Sequence, residues 1–156
     1  MRFNEKIKLY GGLLISKNEA EPVYIQNVVC RIGRERAASH LANSMLPNPL
    51  FNYLAVGKGI LSASTEDLAL VDEFYRVQLD TVWSVNYTLF GAVDITGLMI
   101  DSYTGVGPGV GDYIVSEWGL FNNDTFGDLI CHQTPDYQFT IQGDDILSVL
   151  WGIVLT

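Results

Sequence analysis

The chain has 156 residues, of which 48% are hydrophobic and 17% are charged, and its formal net charge is −9. A chain of this length buries about 70% of the surface that its unfolded form exposes, so it can build a real core, and this composition excludes a largely disordered chain. No apolar run approaches the roughly 18 residues of a membrane span, and the N-terminus shows no apolar segment typical of a signal peptide. Two cysteines are too few for a disulfide framework or a zinc site.

The charge is distributed unevenly along the chain. Residues 1–58 hold eight Lys and Arg against four Glu, a net charge of +4, whereas residues 59–156 hold one cation, Arg76, against fourteen acids, a net charge of −13. Such an acidic body repels nucleic-acid phosphates and anionic bilayers, so neither is an expected partner. Two interpretations stay open: a basic front end that docks on an acidic neighbour, or acids that keep an apolar β body soluble.

The first 24 residues predict an N-terminal strand or arm. Residues 6–15, KIKLYGGLLI, alternate and then become continuously apolar. The polar segment 16–22 ends in proline and predicts a loop. We therefore expect an arm over 1–24, followed by a single domain over 25–156.

Residues 25–44 predict the one good helix. Apolar residues recur there at spacings of three and four, which is typical of an amphipathic helix, and Pro47 and Pro49 mark its end. Gly33 lies on the apolar stripe, where it would let a sheet backbone approach closely. The stripe consists of Ile25, Val28, Val29, Ile32, Ala37 and Leu41.

After Pro49 the pattern becomes that of β-structure. The segments are rich in β-branched and aromatic residues and are separated by turn signals. Short strands at roughly ten-residue spacing favour a sandwich or a rolled sheet. The predicted fold class is therefore α+β, an antiparallel β-sandwich with one amphipathic helix packed against it. The predicted strands are 51–57, 74–80, 82–90, 92–100, 112–121, 128–133, 137–142 and 146–155.

Catalytic and metal-binding patterns are weak in this sequence. Gly57-Lys58-Gly59 lacks the upstream glycine of a phosphate-binding loop. Cys131 and His132 are adjacent, so on a strand they point to opposite faces and cannot form a dyad; a pairing of Cys131 with distant His40 stays open. Oxygen-bearing side chains over residues 122–128 leave a weak calcium site as an alternative to a plain hairpin loop. We expect no enzyme activity, no cofactor and no metal.

The three tryptophans separate two classes of function. Trp83, Trp118 and Trp151 each lie within an apolar strand segment, which favours core packing. If they were exposed instead, they could form a platform for stacking against sugars. Their solvent exposure therefore distinguishes a structural subunit from a carbohydrate-binding protein.

Glu117 stands out because its predicted strand is otherwise apolar. A buried carboxylate is costly unless it is paired, and Arg76 is the only Lys or Arg after residue 58. We therefore expect a cross-strand pair of Arg76 and Glu117 in or near the core. The alternative places Glu117 on the surface and pairs Arg76 with Asp72 or Asp80.

Three segments in a fixed order carry a resemblance to a known family. Residues 52–76 read NYLAVGKGILSASTEDLALVDEFYR, residues 114–132 read IVSEWGLFNNDTFGDLICH, and residues 145–155 read DILSVLWGIVL. Preceded by a helix, this order of G-x-G, E-x-G-L-F and W-x-I elements resembles small structural proteins of tailed bacteriophages and prophages. The resemblance covers about residues 25–155 and is loosest over 82–111.

The resemblance implies a non-enzymatic, cofactor-free virion subunit from the tail, fibre or baseplate region. Its expected partners are copies of itself, in a homo-oligomer, and neighbouring virion proteins. Alternatives are a capsid decoration or head-fibre protein, or a carbohydrate-binding adhesin module. Five residues of the basic front are expected to take part in assembly: Lys6, Lys8, Tyr10, Arg31 and Arg34.

Overall fold

The computed structural model describes residues 8–42, 49–85, 88–97, 100, 113–134 and 138–155. Lys6 and the last two residues of the predicted helix lie outside these ranges. Within them the chain is mostly antiparallel β-sheet with one helix, α1, over Arg31–Ala42. The strands are β1 Leu9–Lys17, β2 Val23–Val29, β3 Tyr53–Gly57, β4 Glu73–Gln78, β5 Thr81–Val85, β6 Thr88–Thr96, β7 Tyr113–Val115, β8 Glu117–Phe121, β9 Leu129–Gln133, β10 Phe139–Ile141 and β11 Ile146–Leu155.

Nine of the described strands form one sheet in the order β4-β3-β8-β9-β2-β1-β11-β6-β5. All its pairings are antiparallel. The longest runs of pairing join β1 to β11 and β11 to β6, with nine partner positions each. Strands β7 and β10 pair separately.

The large sheet curls into a half-barrel, and its concave side holds the main core. Leu13 of β1 and Trp151 of β11 share this core with Leu54 of β3 and Trp118 of β8, and all four are fully buried. The α+β class is therefore confirmed, whereas the predicted two-sheet sandwich is not. The reason is connectivity, since β2 pairs with both β1 and β9 and so joins the two halves into one sheet.

A smaller apolar cluster lies on the opposite side of β3, β8 and β9. It contains Cys30, Ala55, Leu70, Phe121 and Leu129. Helix α1 packs there against β9, and a Cβ atom on Gly33 would strike the Ile130 carbonyl oxygen. The close approach expected at Gly33 is therefore confirmed. This half of the sheet is covered on both faces.

The predicted helix 25–44 was wrong in its first part. Val23–Val29 is strand β2, and the helix begins only at Arg31. Every second side chain of this segment is buried, namely Ile25, Asn27 and Val29, and a repeat of two residues is the period of a strand. A short apolar run fits both periods, and the neighbouring strands β1 and β9 decide the outcome because they supply hydrogen-bonding partners.

Two strand predictions also changed in detail. Segment 112–121 divides into β7 and β8 at Ser116. Gly91, which the sequence suggested as a turn, lies inside β6, where a Cβ atom would come within 2.6 Å of the Leu79 side chain. Gly91 thus allows the Leu79 side chain to pack closely on the concave side, and the chain does not turn there.

The described part of the predicted N-terminal arm is an interior strand. β1 lies between β2 and β11, and it places Leu13 and Ile15 in the core at zero exposure. Residues 8–24 are thus integral to the sheet in this structure.

Candidate functional site

Glu117 begins strand β8 and is completely buried. Its Oε1 atom accepts a hydrogen bond from the Val71 amide at 2.6 Å, and its Oε2 atom accepts bonds from the amides of Gly59 and Asp72 at 3.1 Å each. All three amides belong to the loop that joins β3 to β4, residues 58–72, called here the β3–β4 loop. One carboxylate therefore fastens both ends of this loop to the sheet.

His132 completes a buried network with Glu117 and Asp67. Its Nε2 atom lies 3.0 Å from Glu117 Oε1, and its Nδ1 atom lies 2.6 Å from Asp67 Oδ2. The His132 side chain is 1% exposed. An imidazole that is protonated on both nitrogens can donate to both carboxylates. The middle of the β3–β4 loop is thus fastened to β9 through Asp67.

The network shifts the pKa of both buried groups. Burial would lower the pKa of His132, but its hydrogen bonds to Glu117 and Asp67 outweigh burial and raise it above the ordinary value. Burial opposes ionisation of Glu117, yet bonds from His132 and from the Val71 and Asp72 amides hold its pKa below the ordinary value. Both shifts favour a charged His132 beside a charged Glu117.

The glycines of the G-x-G element make room for this carboxylate. A Cβ atom on Gly57 would lie 2.6 Å from Glu117 Oε2, and one on Gly59 would strike the same carboxylate. Gly57 is the direct antiparallel partner of Glu117. Gly57, Gly59 and Glu117, which are far apart in sequence, therefore meet at one place in the fold.

The predicted pair of Arg76 and Glu117 is not formed. Arg76 makes a bidentate ion pair with Glu73, at 2.7 and 2.8 Å, donates to the Asn123 carbonyl oxygen and lies 3.6 Å from the centre of the Phe121 ring. The reason is strand order. β3 lies between β4 and β8, and Arg76 pairs with Ala55 whereas Glu117 pairs with Gly57. The two residues therefore stand more than two strand spacings, roughly 9.5 Å, apart. The expectation that Glu117 is buried and paired is confirmed, but its partner is His132.

The chemistry available to the network is limited by burial. Glu117 faces loop amides and His132 faces two carboxylates. The nearby thiol of Cys30 has a pKa raised to about 12 by burial. Burial also raises the pKa of Cys131. In the ranges that the structure describes, no group of three His, Cys, Asp or Glu is arranged to hold a metal ion. The arrangement suits the fixing of a loop.

The calcium alternative at residues 122–128 receives no support from the contacts there. Asp128 pairs with Arg36 at 2.5 Å and accepts a bond from the Asn122 side chain. Asp124 and Thr125 bond to each other. These contacts are those of a hairpin loop between β8 and β9.

A second candidate site is the convex face of strands β2, β1, β11, β6 and β5, called here the outer face. Alternation assigns it the even-numbered residues of the first four strands and the odd-numbered residues of β5. Asp94 is the one charged residue among them. In a chain of net charge −9, this face is unusually poor in charge. Its large side chains include Tyr10, Leu14, Tyr24, Trp83, Val85, Phe90, Ile146, Leu150 and Val154.

Aromatic rings lie next to the glycines of the outer face. Gly12 and Gly152 are direct partners on β1 and β11. The Tyr24 ring covers the Cβ position of Gly12 at 2.5 Å, and the Phe90 ring lies 3.3 Å from that of Gly152. Together with Tyr10 they line a groove of about 310 Å³. The face is therefore shallow, apolar and continuous across four strands.

The tryptophans divide between the core and this face. Trp118 and Trp151 are fully buried, as expected for core packing. Trp83 is 38% exposed and stacks on Phe90, with ring centres 5.3 Å apart. It borders a second groove of about 470 Å³, whose polar members include Asp80, Asp94 and Ser148.

Four of the five predicted assembly residues are described, and they lie on different elements. Tyr10 lies on the outer face and is 47% exposed, and Lys8 is exposed just before β1. Arg31 and Arg34 lie on α1, where Arg31 is already paired with Glu35 and Glu66. Lys6 lies outside the described residues.

Sequence reasoning missed His132 and Asp67. The sequence did contain a signal for His132. This residue lies near the end of the apolar strand that follows the strand of Glu117, and after residue 58 only Arg76 and His132 have side chains that can carry positive charge. Asp67 gave no signal, since an aspartate in a polar loop is ordinarily solvated.

In comparisons with known proteins, no protein-family model, no curated protein and no solved structure matches the chain. Among the described residues, no helix is long and apolar enough to cross a membrane. The geometry of the two sites therefore carries the functional argument.

Proposed function

We propose that this chain is a non-enzymatic structural subunit of a tailed-phage virion, in the tail, fibre or baseplate region. It acts through contacts with copies of itself and with neighbouring virion proteins. The observation that carries the proposal is the outer face. Large apolar faces of this kind mark protein–protein contacts, and burial of this face against a neighbour would remove exposed aromatic surface from water.

The buried network supports a structural role in a second way. Glu117, His132 and Asp67 are of the residue types that serve as general acids and bases, but their polar atoms bond to each other and to loop amides. The elements that resemble the phage proteins thereby have a physical purpose, since they hold the β3–β4 loop against the sheet. We also propose that the two halves of the curled sheet act as the two layers of a sandwich-like body.

The test is incorporation into particles. Tyr24 is 65% exposed on the outer face, and Ile60 is 77% exposed in the β3–β4 loop. We expect Tyr24→Glu to reduce the amount of the chain in particles purified from the encoding phage or prophage, as measured by mass spectrometry. The matched control Ile60→Glu leaves that amount unchanged. Absence of the wild-type chain from particles would refute the proposal.

The position within the particle separates the remaining virion roles. Immunogold electron microscopy with an antibody against the chain labels the tail or baseplate if the proposal is correct. Labelling of the head would favour a capsid decoration or head-fibre protein instead.

A second candidate function is carbohydrate binding, favoured by one observation. Half-exposed Trp83 borders the groove that contains Asp80, Asp94 and Ser148, and stacking on an aromatic ring next to carboxylates and hydroxyls is a common way to hold a sugar. A glycan array with the purified protein tests this. Binding that is lost in Trp83→Ala and kept in Tyr24→Ala would favour the adhesin.

A further inference from the structure

The two edges of the nine-stranded sheet differ in charge. Edge strand β4 carries Glu73 and Arg76, which form an ion pair. Edge strand β5, Thr81–Val85, reads TVWSV and carries no charge. Charged side chains are a usual protection of an edge against pairing with another strand. β4 has this protection and β5 lacks it.

Strand β5 also offers an open side. All five of its residues are exposed, with Val82 at 40% and Val85 at 49%. It pairs with β6 along one side, and no other strand in the described part of the chain pairs along its second side. Since backbone groups of a strand point alternately to its two neighbours, the N–H and C=O groups on the second side of β5 point away from β6, and no described strand bonds to them.

We propose that β5 of one copy pairs antiparallel with β5 of a second copy, with Trp83 facing the partner's Trp83. This pairing is a specific form of the self-contact in the proposed function. Only its role in a particle rests on that function. The pairing joins two nine-stranded sheets edge to edge about a twofold axis. A twofold contact uses the same surface on both copies, as this one does.

The sequence of β5 complements itself in this register. Thr81 faces the partner's Val85, and Val82 faces the partner's Ser84. Every residue in these pairs is uncharged, and Thr, Val and Trp favour strands. Because Trp83 stacks on Phe90 of the outer face, the pairing also makes the outer faces of the two copies continuous.

The charges around β5 favour a second copy in the antiparallel direction. Asp80 precedes β5 directly and is exposed. Parallel pairing would put Asp80 beside the partner's Asp80, whereas the antiparallel register separates them by six residues, roughly 20 Å. For two bodies of net charge −9, an uncharged edge is a place where copies can approach without direct contact between like charges.

The first experiment measures the dimer in purified full-length protein by analytical ultracentrifugation. We expect a concentration-dependent dimer that strengthens as salt screens the repulsion between acidic bodies. Ser84→Lys should weaken it at least about tenfold, equivalent to roughly 1.4 kcal/mol. The matched control Gln78→Lys puts the same charge on edge strand β4. We expect its dissociation constant to stay within about twofold of the wild-type value, a change far smaller than the tenfold effect that corresponds to about 1.4 kcal/mol.

Two results would overturn the proposal. If the protein is a monomer at all concentrations and salt levels, the β5 contact does not form. If Ser84→Lys and Gln78→Lys weaken the dimer equally, the dimer contact does not involve β5. A dimer that weakens as salt rises would instead favour docking of the basic front on the acidic body. These results leave the virion role itself standing, because that is tested by incorporation.

The second experiment tests the register by disulfide formation. Val82 and the partner's Ser84 are direct partners, within the Cα separation that a disulfide spans, whereas Val82 and the partner's Val82 lie on a diagonal of about 7–8 Å, too far apart. The native cysteines are buried and do not interfere. Under mild oxidation we expect a mixture of Val82→Cys and Ser84→Cys proteins to form a covalent dimer. Neither variant alone should do so, and equal dimer yields from single variants would contradict the register.

Discussion

His132 and Glu117 lie on neighbouring strands β9 and β8 with 3.0 Å between Nε2 and Oε1, and both are sealed from solvent. The pair does more than neutralise charge. Through Glu117 it holds the two ends of the β3–β4 loop, and through Asp67 it holds the middle. Leu70 of this loop packs in the smaller cluster with Phe121, so packing on this side of the sheet depends on the pair.

Replacement of Glu117 by glutamine should be severely destabilising. The change presents an amide group where backbone donors converge and leaves His132 without its buried partner. We expect a loss of about 3–5 kcal/mol in the free energy of unfolding, the range for a broken buried pair. Denaturation by guanidinium chloride measures it. Glu73→Gln is the control, since its pair with Arg76 is at the sheet edge and should cost about 1 kcal/mol or less.

Double-mutant cycles should show which residue is the partner of Glu117. Glu117 and His132 are in contact, so we expect a coupling free energy above about 1 kcal/mol. Glu117 and Arg76 share no hydrogen bond and lie two strands apart, so their effects should add within about 0.5 kcal/mol. Both cycles use the same denaturation assay. Strong coupling to Arg76 with none to His132 would contradict the network.

The stability of the protein should depend on pH through the same pair. The pKa of His132 is raised above its ordinary 6.5, so its contribution is full below that value and is lost as pH rises through the raised pKa of the folded state. The pKa of Glu117 is lowered from 4.5, so its contribution is present above 4.5 and is lost as pH falls through the lowered pKa. The network therefore stabilises most between pH 4.5 and 6.5.

Denaturation midpoints on both sides of this window measure the effect. His132→Gln should remove the decline on the alkaline side while it lowers stability within the window. His40→Gln, at a partly exposed position on α1, is the matched control and should keep the wild-type profile. An unchanged alkaline decline in His132→Gln would assign the effect to another group.

Removal of residues 1–22 should abolish folding. The sequence predicted an arm over 1–24 outside the domain 25–156, which would leave the domain folded without it. The structure leads to the opposite expectation because β1 has nine partner positions on β11 and five on β2. Loss of buried Leu13 and Ile15 alone costs about 2–5 kcal/mol each, which approaches the whole stability of a typical domain. Circular dichroism should show no cooperative thermal transition. A deletion of residues 1–7, which keeps β1, is the control.

Local pattern was enough to locate most strands. The alternation in 146–155 and the apolar run 128–133 correspond to β11 and β9, because half-buried and buried strands leave those periods in any sequence. The local sequence pattern gave the wrong prediction at 25–29, where a short apolar run fits a strand and a helix equally well. The neighbours β1 and β9 decided that segment, and they come from distant parts of the chain.

The sequence by itself determined that Glu117 needs a partner, since a carboxylate on an apolar strand must be compensated. Only the tertiary structure decided that the partner is His132, because the choice depends on the order β4-β3-β8-β9, which places β9 beside β8 and puts β3 between β8 and Arg76. The outer face follows the same rule. Alternation selects which residues share a face, but the curl of the sheet decides which of its two faces encloses the core and which is left for a partner.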